Sequence, residues 1–208
     1  MSLFRYDSKF NMILSRVFDI MLLNILWLIC SIPIITIGTS TTALYYSIFK
    51  IKSGEDYGII KMFFHSFFQN IRQSCGLTLL FLMTGILLYI DINVYITTSG
   101  ALWNVFKIIS VIALIIWGIL VSYSFPLLAR FENSNKAILK NAFFMSISNI
   151  GKTSIVVVSN TLPVVIILGL PSVFALCLPI WCLFGISGIA YINSNYFLKI
   201  FEKHMTVE

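Results

Sequence analysis

The chain has 208 residues, of which 59% are hydrophobic and only 11% charged, with a mean hydropathy of +0.95 and a formal net charge of +6. Soluble domains carry about 25% charged residues, so a water-soluble globular fold is excluded. The basic residues sit in small groups beside apolar runs with no basic stripe, which speaks against nucleic acid as a partner and points to cytoplasmic loops. The predicted fold is all-α. It is a polytopic membrane protein with the lipid bilayer as its surroundings, and residues 1–208 form a single integral membrane domain.

The N-terminus places Arg5, Lys9 and Arg16 before an apolar run. It resembles a signal peptide only superficially. No small-residue cleavage site follows and the run is too long, so the segment is expected to be retained. Ile20 to Phe49 then runs 30 residues without a charge, about 45 Å as one helix. One tilted crossing or two crossings would fit. Lys9 to Ile32 predicts one helix, and Pro33 breaks it. Gly38 permits tight reversal, and Thr39 or Ser40 caps a second helix reaching about Lys52. The predicted break is therefore Pro33, Gly38 and Ser40. Charge favours the hairpin: of 14 Lys and Arg only Lys107 then lies outside, whereas a single crossing also puts Arg5, Lys9 and Arg16 there. The second arm is short, so a re-entrant helix remains open. Five or six membrane helices are expected, six being preferred, with both termini cytoplasmic.

Next comes FFHSFFQNIRQS (Phe63 to Ser74), matched about 80 residues later by FFMSISNIGKT (Phe143 to Thr153). Each copy has Phe-Phe-x-Ser, then Asn-Ile, and precedes a span. In the first, Ile60, Phe63, Phe64, Phe67, Phe68 and Ile71 follow the spacing of an amphipathic helix. The second has Leu139, Phe143, Ile147 and Ile150. Two helices lying on the cytoplasmic face are predicted. They either anchor the chain to the leaflet or dock a cytoplasmic partner, with Phe63, Phe67, Ile71, Phe143 and Ile147 as candidate anchors.

Gln73 to Ile90 and Ile108 to Ala129 predict single spans, separated by a short polar and aromatic segment with Tyr95 and Trp103 at the interface. Thr153 to Leu198 is 46 residues without a charge, about 69 Å as one helix, twice the hydrocarbon thickness. It must fold back, and Gly169-Leu170-Pro171 is the predicted turn. Pro163 and Pro179 are expected to kink the two spans.

The predicted spans lack ionisable groups at their middles, which argues against a proton-coupled carrier or an intramembrane hydrolase. No phosphate-cradling loop with Lys is present. His65 and His204 have no catalytic partner in the pattern. Cys30, Cys75, Cys177 and Cys182 read as small buried apolar side chains, since zinc needs clustered Cys and His. No enzyme activity, cofactor or metal is expected. Amides and hydroxyls are the polar groups within the spans. Asn24, Ser159, Asn160 and Thr161 form the candidate intramembrane polar cluster, serving helix packing or lining a path for a polyhydroxylated solute. Pro163 frees a carbonyl beside the last three.

LNILWLICSIPIITIGTSTTALYY (Leu23 to Tyr46) closely resembles the N-terminal signature of the YesL family of bacterial integral membrane proteins. The resemblance extends through SGEDYG, FFHSFFQNIRQS, FPLLARF and AILKNAFFMSISNI. It implies a bacterial cytoplasmic membrane protein tied to oligosaccharide uptake, with ABC-type sugar importer subunits as partners. No site residues carry over, and no small-molecule ligand is specified. Two functions follow as expectations: an accessory or permease-like component of carbohydrate uptake with no chemistry of its own, or a membrane scaffold or sensor regulating glycan utilisation.

Overall fold

A computed structural model describes residues 9–55, 58–97 and 100–205. Among them are seven α-helices and no strand. Helix α1 (Lys9–Cys30) stops at Ser31, two residues before Pro33, whose missing N–H cannot continue a helix. A single 3-10 turn, Ile34–Thr36, redirects the chain into α2 (Ile37–Lys52). The Thr36 hydroxyl pins that turn by reaching the carbonyls of Cys30 and Pro33, each at 2.7 Å. Then come α3 (Ile59–Thr97), α4 (Ala101–Arg130), α5 (Asn135–Ser148), α6 (Ile150–Gly169) and α7 (Pro171–Met205). Ser134 caps α5 by accepting from the Ala137 N–H. The fold-back of the long uncharged run falls at Leu170, as expected, and Pro171 opens α7.

Helices α1, α3, α4, α6 and α7 are long and apolar enough to cross a membrane. Helix α2, with 16 residues or about 24 Å, is shorter than the ~30 Å hydrocarbon core. It is the centre of the bundle. Ala43, Leu44 and Ile48 are fully buried, and α1, α3, α4 and α7 all pack on it. The aromatic core lies where α2, α4 and α7 meet: the Phe197 ring stands edge-on to Tyr123 at 5.1 Å and to Tyr45 at 5.6 Å.

The opening stretch is a hairpin. Asp19 and Leu22 of α1 face the first residues of α3 across one cleft, so both helices begin at the same end of the bundle. Lys52, closing α2, reaches the Tyr191 carbonyl at 2.7 Å and the Asn195 side chain at 2.6 Å, late in α7. Gln73 holds the Asn133 carbonyl of the α4–α5 loop at 2.6 Å. The start of α1 and the end of α7 therefore share one end. At the other end Tyr95 of α3 stacks against Phe106 of α4 and tilts onto Trp103.

Several expectations are corrected. Of the predicted break, only Pro33 lies in it; Gly38 and Ser40 are buried inside α2. Gly38 is not among the glycines with positive φ. A Cβ there would overlap the Thr78 hydroxyl and the Phe125 ring, so close packing requires this glycine, not chain reversal. Neither Thr39 nor Ser40 caps α2; Thr36 occupies that position without a side-chain bond to the helix. The first Phe-rich copy is no separate surface helix. It forms the first turns of α3, continuous with the span, and only part of its stripe is covered by the bundle, Ile60 and Phe68 staying exposed. Phe63 is fully buried and Phe67 nearly so, with Ile71 half-buried. The second copy is a separate helix, α5, which leaves Phe143 and Ile147 exposed. Asp91 does not end its span, because α3 runs on to Thr97. The four thiols are free, with Cys30 and Cys75 half-buried but Cys177 and Cys182 exposed, not buried. Arg5, Asp56 and Tyr57 lie outside the described residues.

A candidate site within the bundle

The hydroxyls of α2 explain how so polar a helix can be central. Thr41, Thr42 and Ser47 each donate to the carbonyl four residues earlier, at 2.8–2.9 Å. Such back-bonding satisfies a hydroxyl within its own helix and leaves its lone pairs available. Thr41 uses one of them to accept from the Trp27 indole at 3.0 Å.

Around that pair lies a cavity of ≈ 330 Å³, walled by α1, α2, α4, α6 and α7. Trp27, Tyr45, Phe125 and Trp181 supply aromatic surface, and Thr41, Ser122 and Asn160 supply polar groups. Among the described residues no charged side chain lines it. Two wall residues are prolines inside helices, Pro126 of α4 and Pro163 of α6. Each lacks the N–H that would bond the carbonyl four residues before it, at Ser122 and Ser159. Intramembrane carbonyls freed in this way need another donor, and neighbouring helices or a solvated cavity normally provide it.

The sequence-predicted polar cluster divides in two. Ser159 donates to the Asn193 carbonyl oxygen at 2.8 Å, and the Asn193 amide donates to the Asn160 oxygen at 2.9 Å. This relay joins α6 to α7 and fixes the Asn160 side chain at the cavity wall. Thr161 is exposed and bonds only within its own helix, to Val157 and Val158. Asn24 stands apart. Fully buried, it donates to the carbonyls of Trp181 (3.2 Å) and Cys182 (2.6 Å) and accepts from the Ser187 N–H at 2.9 Å. It thereby fastens α1 to α7, just where the Trp181 ring lies over Gly185 and a Cβ would overlap it. Asn24 thus positions Trp181, one wall of the cavity, without entering the wall itself.

Sequence reasoning named Asn160 but missed Trp27, Tyr45, Phe125 and Trp181. An aromatic residue in an apolar span carries no signal of its own; only the crossing of five helices brings these rings together. The paired prolines at 126 and 163 are readable in the sequence, but that they meet across one space is not.

Residues 20–92 match the model of a family described as "Protein of unknown function, DUF624". This segment, similar to that family, spans the second half of α1, all of α2 and most of α3. It contributes Trp27, Thr41 and Tyr45 to the cavity, whereas Ser122, Asn160 and Trp181 lie beyond it. No curated protein matches the chain, and no solved structure does. The chain is thus an all-α polytopic membrane protein, and about a third of it resembles an uncharacterised family.

Proposed function

We propose that this protein is an accessory or permease-like component of bacterial carbohydrate uptake, and that its central cavity receives a sugar-sized, uncharged ligand. The carrying observation is the cavity's inventory. Its volume is at the small end of ligand sites. Aromatic faces, the Asn160 amide, three hydroxyl residues (Thr41, Tyr45 and Ser122) and the Ser122 carbonyl freed by Pro126 suit a ligand that is apolar on its ring faces and rich in O–H donors on its rim. An ion would find no charge there. The resemblance to the YesL family supports the same context, a bacterial cytoplasmic membrane and ABC-type importer subunits as partners. The described ends sharing one side of the bundle, with nearly all Lys and Arg at that side, support a cytoplasmic position for both.

Docking through Phe63 and Phe67 is no longer part of this reading, because both rings are used inside the fold. The exposed apolar face of α5, with Phe143, Phe144 and Ile147, is the part of the repeat that remains outward. The test is maltose binding to purified protein in nanodiscs, read by the fluorescence of Trp27 and Trp181. Saturable change that Asn160→Leu abolishes is expected. A native protein that responds to no mono- or disaccharide would refute a sugar site and leave a scaffold or sensor.

A further inference from the structure

We infer that the ligand of this site is an amphiphile, with its saccharide in the central cavity and its hydrocarbon chain in a groove between α3 and α4; the inference rests on the carbohydrate reading above. The groove measures ≈ 370 Å³ and adjoins the cavity directly, since Ile37, Val121 and Phe125 line both. The partition between them is thus one layer of side chains. Its central member, the Phe125 ring, sits in the space that Gly38 leaves by having no side chain.

The two compartments differ in chemistry. The groove's remaining wall is almost wholly apolar, including Phe81, Ile86, Leu114 and Trp117. Its Trp117 indole is already committed to the Phe81 carbonyl at 3.2 Å and the Thr84 hydroxyl at 3.0 Å. Ile86 and Leu114 are 58% and 41% exposed, so the groove opens on the outside of the bundle, where hydrocarbon lies. A free sugar gains nothing from such a slot. A chain attached to the sugar would reach the groove by turning the Phe125 ring aside, and would then lie against hydrocarbon instead of water.

The probes are maltose and a dodecyl maltoside brominated in its chain, added to the full chain in nanodiscs of unbrominated phospholipid. Bromine quenches tryptophan at short range, and the Trp117→Phe variant supplies the part of the signal that does not come from the groove. Saturable quenching of Trp117, relieved by excess maltose, is expected. Quenching that rises linearly with added glycoside and ignores maltose would mean that the chain merely partitions into lipid, and would overturn the inference. If maltose alone still changes the Trp27 and Trp181 signal in that case, the sugar site stands and only the amphiphile fails. If neither probe gives a saturable response, both readings fall. Because Trp117→Phe serves only as the reference, size-exclusion must show it as monodisperse as the native chain.

Discussion

At the scale of single residues, the polar groups do two different kinds of work, and substitutions should separate them. Asn24 makes three bonds between α1 and α7 while fully buried. Side-chain hydrogen bonds between membrane helices average about 0.6 kcal/mol and reach about 1.7. Asn24→Ala should therefore lower stability by roughly 1–2 kcal/mol, whereas exposed Thr161→Ala should change it little. Chemical unfolding in detergent measures both, and equal effects would remove the special place given to Asn24. Gly38→Leu should be more damaging than either. Overpacking of a tight site costs about 1–3 kcal/mol, and the side chain would displace both Thr78 and the Phe125 partition. If Gly38→Leu unfolds like the native protein, the close α2–α3–α4 contact described here is wrong.

At the scale of elements, α3 shows what periodicity can and cannot say. The spacing from Ile60 to Ile71 correctly identifies a helix with one face to bury. An amphipathic pattern does not say whether lipid headgroups or another helix will cover that face. Here the bundle covers part of that face, and no local pattern announces it. Phe67→Asp should then abolish recovery of folded protein, since it buries a carboxylate among apolar side chains, while Phe68→Asp, at a ring 67% exposed, should be tolerated. Yield and monodispersity of the two variants decide the matter; a folded Phe67→Asp protein would return that ring to the surface. The internal repeat is more legible in bonds than in helix shape. Ser74 pairs with the Thr39 hydroxyl at 2.8 Å, and its counterpart Thr153 pairs with Tyr123 at 2.6 Å. Asn70 and Asn149 each bond a carbonyl four residues back. One copy continues as a single helix and the other breaks at Asn149, followed by Ile150-Gly151, so the copies keep their contacts while differing in outline.

At the scale of the whole molecule, the sequence was most informative where charge and length act together. The reversal between α1 and α2 and the turn at Leu170 follow from runs too long for one crossing, while five helices rather than the preferred six are long and apolar enough to span. The cavity was not legible, because its walls come from five helices far apart in the chain. Cysteine labelling in intact cells tests the arrangement, using a chain with Cys30, Cys75, Cys177 and Cys182 replaced. A cysteine at exposed Ser134 should resist a membrane-impermeant maleimide added outside, and one at Gly100 should react. Reaction at both sites, or the reverse pattern, would overturn the orientation. The burial of α2 also bears on how the chain is made. This helix is short and carries Thr39, Ser40, Thr41, Thr42 and Ser47 along its length, so it is a poor candidate for stable insertion by itself. The surfaces that cover it belong to α1, α3, α4 and α7, and of these α7 is made after all the others. Until then α2 has no complete shelter. Its entry into the centre of the bundle is a late event in biogenesis, and a nascent chain halted before α7 would present an unfinished core to the quality-control machinery of the membrane.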